Sequence, residues 1–174
     1  MTKTSLAAVL VLAMIGTAQA GGQAGSIGVG AEYGLAFGSP VPSGVMGGTI
    51  GGIGLASMNY DAGDFHAGAF LGFQDGGNDN DTDYALGGRF FYHMHSVSMA
   101  DFGVGGNLGF VSVDTGRDRA TLMFLEPGIQ IRLFPASNVA LSFTAGLAIG
   151  LVDAKGFGIG AQPTGAAGVH YYFF

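Results

Sequence analysis

Cysteine and tryptophan are both missing from this 174-residue chain, and charge is scarce. Without cysteine there is no disulfide framework and no thiolate metal site. Asp, Glu, Lys and Arg together make up 10% of the residues, against about 25% in an average soluble domain. The charge that remains is acidic, with twelve carboxylates against six basic side chains, which argues against nucleic acid as a partner. After residue 20 no apolar run reaches the ~18 residues of a membrane-spanning helix. Yet the chain is apolar as a whole, with a mean hydropathy of +0.43. Glycine is the commonest residue, at 34. Glycine-rich chains can be disordered, but 14 Phe and 6 Tyr are too many to leave unpacked.

The first twenty residues, MTKTSLAAVLVLAMIGTAQA, carry one Lys, an apolar run from Leu6 to Ile15, and Ala18-Gln-Ala20 before Gly21. That order is the one of a secretory signal peptide, and the run is too short to span a membrane as a helix. Residues 1–20 are therefore read as a leader and 21–174 as one domain. Removing Lys3 leaves five basic residues against twelve acids, a net charge of −7. An exported, apolar, low-charge chain without spanning helices points to a closed transmembrane β-barrel, which satisfies every backbone hydrogen bond internally.

Period-two alternation supports that reading. From Ile27, the odd positions Val29, Ala31, Tyr33, Leu35 and Phe37 alternate with Gly28, Gly30, Glu32, Gly34, Ala36 and Gly38. Similar two-faced runs start at Phe65, Tyr84, Phe102, Thr121 and Val139. In each, one face is large and apolar while the other is small or polar; a helix would scatter these around its circumference. Thr49–Tyr60 is strand-like but of mixed parity, which predicts a bulge or bend. Pro127 falls inside a strand, where it removes one ladder hydrogen bond. The last strand runs from about Thr164 to the end. The sum is an all-β, eight-stranded, antiparallel up-and-down barrel with strands of membrane-spanning length. Short turns at 60–64, 96–101 and 134–138 alternate with longer or more polar connections at 39–46, 75–83, 114–119 and 152–163. Short periplasmic turns and longer outer loops are the pattern of outer-membrane barrels.

At this point the chain resembles the small eight-stranded outer-membrane barrels of Gram-negative bacteria, the OmpA-like and OmpX-like group. The resemblance covers everything after the leader. Its most specific element is the terminal Gly168-Val-His-Tyr171-Tyr-Phe173-Phe174, similar to the Gly-x-x-aromatic-x-Phe signal that the barrel-assembly machinery reads in that group, with Phe174 one residue extra. Phe134-Pro-Ala-Ser-Asn138 is like the group's turns. The resemblance implies outer-membrane lipid and lipopolysaccharide as surroundings, periplasmic chaperones and the assembly machinery as partners in biogenesis, and a monomer. The lack of Trp departs from the group, so Tyr33, Tyr84, Tyr92, Tyr171 and Tyr172 have to serve in the interfacial girdles. For the terminal strand, the register with Val169, Tyr171 and Phe173 outward and His170 inward keeps the imidazole off lipid.

Candidate site residues lie on the inward face. Glu32, Arg89, Glu126 and Arg132 are inward by parity, and charges there need partners. Arg89 is expected to bridge Glu32, Glu126 or both and so block the lumen. His66, His93, His95 and His170 map toward the periplasmic ends of strands on different sides of the barrel, which predicts no metal site. Asp79-x-Asp81-x-Asp83 fails as a calcium loop, because Tyr84 replaces the required Gly and Phe90 the closing Glu. Gly47-Gly48 and Gly105-Gly106 lack the helix and Lys of a phosphate loop. His95-Ser96 is the one nearby His–Ser pair, and it falls at the periplasmic end, away from outer-leaflet lipid A. No catalytic residue and no cofactor are assigned. The reading is a non-enzymatic barrel with a structural or surface role. A narrow pore stands beside it, because inward Gly28, Gly30, Gly34, Gly103 and Gly105 leave room. An adhesin, a lipid A-modifying enzyme and a soluble secreted barrel are less supported.

Overall fold

The computed structural model describes residues 23–33, 54–75, 77, 82–114, 118–152, 157–159 and 167–173. The leader at 1–20, the connections at 39–46, 78–81, 115–117 and 153–156, and Phe174 lie outside the described residues.

Nine strands form, and no helix occurs among the described residues. They are β1 (Ser26–Tyr33), β2 (Leu55–Asp61), β3 (Phe65–Asp75), β4 (Thr82–Val97), β5 (Ala100–Asp114), β6 (Arg119–Ala136), β7 (Val139–Val152), β8 (Phe157–Ile159) and β9 (Ala167–Phe173). Each pairs antiparallel with its neighbours, from β1 through to β7. β8 and β9 both pair with β7, at Leu147–Ile149 and Val139–Phe143 respectively. They are two pieces of one stave, so the wall has eight. β9 then pairs with β1, from Ile27↔Phe173 to Tyr33↔Ala167, and closes the ring. Closure removes the open edges that a flat sheet would expose.

Parity decides which face each residue takes. On β1, Ser26, Gly28 and Glu32 are buried, while Ile27, Val29, Ala31 and Tyr33 are exposed. On β9, His170 and Tyr172 are buried, while Val169, Tyr171 and Phe173 are exposed. The terminal strand thus takes the register chosen from its imidazole. Tyr172 leaves the girdle set, because it faces the lumen at 1% exposure.

Several boundaries differ from the sequence reading. Strands run further into the turns than expected: β2 keeps Asp61, β4 keeps Val97, and β6 keeps Phe134–Ala136. The described part of the second stave, Leu55–Asp61, alternates without a bulge. Irregularities fall instead between His93 and His95, Met123 and Phe124, and Leu133 and Ala136. Pro127 behaves as expected. The β6–β7 ladder runs Leu125↔Ile149 and then Gly128↔Gly146, with no pair at Glu126–Pro127.

The end of the barrel carrying the turns near residues 62–64, 98–99 and 137–138 is called the turn end, and the opposite one the loop end. Inward glycines are not empty space. A Cβ on Gly109 would run into the Phe124 ring, and one on Gly87 into Phe70. On Gly28 it would lie 2.8 Å from the Tyr172 ring. Of the glycines that suggested a pore, Gly28 and Gly30 are covered by rings from the paired strand, whereas Gly103 and Gly105 lie against the backbone of β4. Outward Gly88 differs, its nearest neighbour being Gly68 O at 3.5 Å.

Gly109→Leu is therefore expected to destabilise the fold by about 1–3 kcal/mol through overpacking. Gly88→Ala should stay within about 0.5 kcal/mol. Urea unfolding in vesicles, followed by the gel shift of the folded form, measures both.

Candidate functional site

The inward side chains sort into layers along the barrel axis. Toward the loop end, Leu55, Phe70, Ala85, Val111, Leu122 and Phe124 pack into one apolar cluster. At the turn end, Phe134, Ala140 and Tyr172 form another. Glu32, Arg89, Asn107, Glu126 and Gln130 occupy the span between them, while buried Asp83 lies beyond the first cluster toward the loop end.

Arg89 and Glu32 face each other across that span. Arg89 Nη2 donates to Glu32 Oε2 at 2.6 Å, with both side chains 1% exposed. The guanidinium also lies over the Phe70 ring, 5.3 Å from its centroid. The bridge is thus made with Glu32. Glu126 is met along the wall: Arg89, Asn107 and Glu126 are consecutive partners on β4, β5 and β6. Asn107 Nδ2 donates to Glu126 Oε2 at 3.3 Å. Next to them, Gln130 Nε2 donates to Thr144 Oγ1 at 3.0 Å.

Arg132 belongs to a second centre near the turn end. Its Nε and Nη2 form a fork on Asp101, with Nε at 3.0 Å from Oδ1 and Nη2 at 2.6 Å from Oδ2. Nη1 pairs with Asp61 Oδ2 at 2.7 Å and donates to the Tyr172 hydroxyl at 3.0 Å. Nη2 also donates to His93 Nε2 at 2.9 Å. The Phe134 ring lies 5.3 Å away. One side chain on β6 therefore ties together β2, β4, β5 and β9. Burying a guanidinium costs several kcal/mol unless its donors are met; the Asp101 carboxylate, the Tyr172 phenol and the His93 imidazole meet them, and Asp61 adds a second counter-charge.

Two of the four histidines, His66 and His93, come together on adjacent strands, while His170 and His95 lie apart from them. His66 Nδ1 and His93 Nε2 are 2.8 Å apart. Arginine can only donate, so His93 Nε2 accepts. Its Nδ1 then carries the proton and donates to Gly63 O at 2.6 Å. His66 Nδ1 points at the same nitrogen, whose single lone pair it shares with Arg132, and the His66 ring stacks on Phe91. Among the described residues no three metal-capable side chains converge. His95 is exposed beyond the bulge, at the turn end.

His170 Nε2 donates to Glu32 Oε1 at 3.0 Å and lies 2.8 Å from Ser57 Oγ. A Ser–His–Glu grouping invites an acyl-transfer reading. A working relay holds the carboxylate on one ring nitrogen and the hydroxyl on the other. Here both sit on Nε2, and all three residues are buried. The grouping lacks the geometry of such a relay.

Asp61, Asp101 and the partners His170 and Tyr172 escaped the sequence reading of the charge network. The signal was present for the two acids: the inward parity of 55, 57 and 59 continues to Asp61, and that of 107, 105 and 103 to Asp101. Assigning them to turns hid it. Of the terminal signal residues, Tyr171 and Phe173 face outward as an edge-on ring pair at 5.1 Å. Gly168 faces inward, where a Cβ would meet Ser142 Oγ at 2.7 Å and Glu32 Cγ at 2.8 Å.

No protein-family model matches the chain, and no curated protein sequence matches it significantly. Among solved structures, Neisserial surface protein A (NspA) is similar at 16% identity over 85% of this chain and 94% of that chain, with a TM-score of 0.44. At that level the likeness adds nothing to the fold that the strand ladders do not already establish.

Arg132→Met is expected to cost about 3–5 kcal/mol, because it strands Asp61 and Asp101 in the interior. Adding Asp61→Asn and Asp101→Asn should recover part of that loss. Urea midpoints of the single and triple variants measure the difference.

Proposed function

We propose that this chain is a bacterial outer-membrane barrel with a structural or surface role and a lumen closed by its own side chains. One observation carries the reading: the outer wall is apolar along its middle while the charges are inside. Met58, Leu71, Leu86, Phe90, Val104, Leu108, Leu125, Ile129, Phe143 and Val169 are all exposed. Glu32, Asp61, Arg89, Asp101, Glu126 and Arg132 are all buried. Water would favour the reverse arrangement; hydrocarbon favours this one. Outward charges on the described strands sit at the loop end, at Asp75, Asp114 and Arg119. Exposed Tyr33 and Phe73 toward the loop end, and Tyr60, Tyr92, Tyr171 and Phe173 toward the turn end, suit the two interfaces.

Lipid and lipopolysaccharide then surround a monomer, and the terminal strand serves as its assembly signal. The chain works without a cofactor and without catalysis. Heat-modifiable migration on unboiled gels and recovery in the outer-membrane fraction are the expected outcomes. A soluble periplasmic product would reject the proposal. The apolar layer and the Arg89–Glu32 pair close the lumen in series. In planar bilayers, wild-type protein and Arg89→Ala should both show near-zero conductance. Arg89→Ala combined with Phe70→Ala and Phe124→Ala should still conduct little, because the Arg132 centre and the Phe134–Tyr172 layer close the turn end. Swelling of wild-type liposomes in small sugars would favour the narrow pore instead.

A further inference from the structure

The ring closes at one seam, between β1 and β9, and the inner face of that seam is interlocked. Gly28 opposes Tyr172, Gly30 opposes His170, and Glu32 opposes Gly168. Each large inward side chain meets a glycine on the other strand. The Tyr172 ring occupies the place of a Gly28 side chain, with Cε1 and Cζ both 2.8 Å from a Cβ there. At Gly30 a Cβ would meet the Val169 carbonyl oxygen first and then the His170 ring, 2.6 Å away. In return Glu32 lies over Gly168 and bonds His170 at 3.0 Å.

A slip of one residue would exchange lumen and outer faces along the whole strand, so parity alone forbids it. Parity does not distinguish slips of two residues, which keep every residue on its face. One such slip would set His170 against Glu32; the other would set Tyr172 against Ser26. Either brings two side chains to one place and leaves a glycine uncovered. We infer that the inner face of the β1–β9 seam is a register lock, in which Gly28 and Gly30 are kept bare to receive Tyr172 and His170, so that the barrel closes in a single register.

The chain contains no cysteine, so introduced pairs can report the seam directly. Val29 and Tyr171 are opposed and outward in the native register. Opposed antiparallel residues stand about 4.5–5.5 Å apart at Cα, within disulfide reach. Val29→Cys with Tyr171→Cys reports the native register. Val29→Cys with Val169→Cys or with Phe173→Cys reports the two slips. The full chain is refolded into phosphatidylcholine vesicles and oxidised, and its disulfide-linked peptides are identified by mass spectrometry. Without further change, only the native pair should link. Gly28→Leu should abolish the native link, either shifting it to the Phe173 reporter or leaving the seam unlinked. The three atoms nearest a Gly28 Cβ all belong to the Tyr172 ring, so adding Tyr172→Ala should restore the native link. An undiminished native link in Gly28→Leu would overturn the lock, and so would failure of Tyr172→Ala to restore a lost one.

Discussion

An eight-stranded barrel leaves an interior only about as wide as the side chains that point into it, and most of this molecule answers to that width. Several of the large inward residues lie where a neighbour has no side chain. Phe70 lies over Gly87, Phe124 over Gly109 and Tyr172 over Gly28. Part of the glycine content is thus a packing requirement, set by rings at Gly28, Gly87 and Gly109 and by neighbouring backbone at Gly30, Gly105 and Gly128. Taken alone, inward glycines look like a channel. Placed beside their partners, they are the sockets of a filled core.

The same width governs the charges. A carboxylate shut away from water needs a partner close by, and in a narrow lumen the opposite wall is within reach. Arg89 crosses from β4 to Glu32 on β1. Arg132 reaches β2, β4, β5 and β9 from one position on β6. Such contacts join strands far apart in the chain, so they stabilise the closed ring rather than any one hairpin. The apolar layers at Leu55–Phe124 and Phe134–Tyr172 flank this polar span, which keeps its dielectric low and its hydrogen bonds strong.

Much of the wall was legible beforehand. The alternation at Ile27–Tyr33 and Thr121–Leu133 marked strands and faces, and the ladder lapse at Pro127 followed from its missing N–H. Errors gathered at strand ends. Asp61, Asp101 and Phe134 were read as turn residues, because Asp, Gly, Pro and Ser near them are turn formers. Pairing with the neighbouring strand carried the ladder past those signals, as Asp101↔Arg132 shows. β8, at Phe157–Ile159, falls inside a stretch that the sequence reads as a connection.

What the sequence determined by itself was the face each residue would take, since a strand's two-residue period is a local property of the backbone. From it followed the all-β barrel, the apolar outside and the inward position of Glu32, Arg89, Glu126 and Arg132. Which inward residues meet was decided only by the tertiary structure. Those meetings depend on the stagger between strands and on how far each ladder runs, and both are set by partners distant in the chain. Parity put Arg132 inside, but its contacts with Asp61, Asp101, His93 and Tyr172 arose only when the ring closed around it.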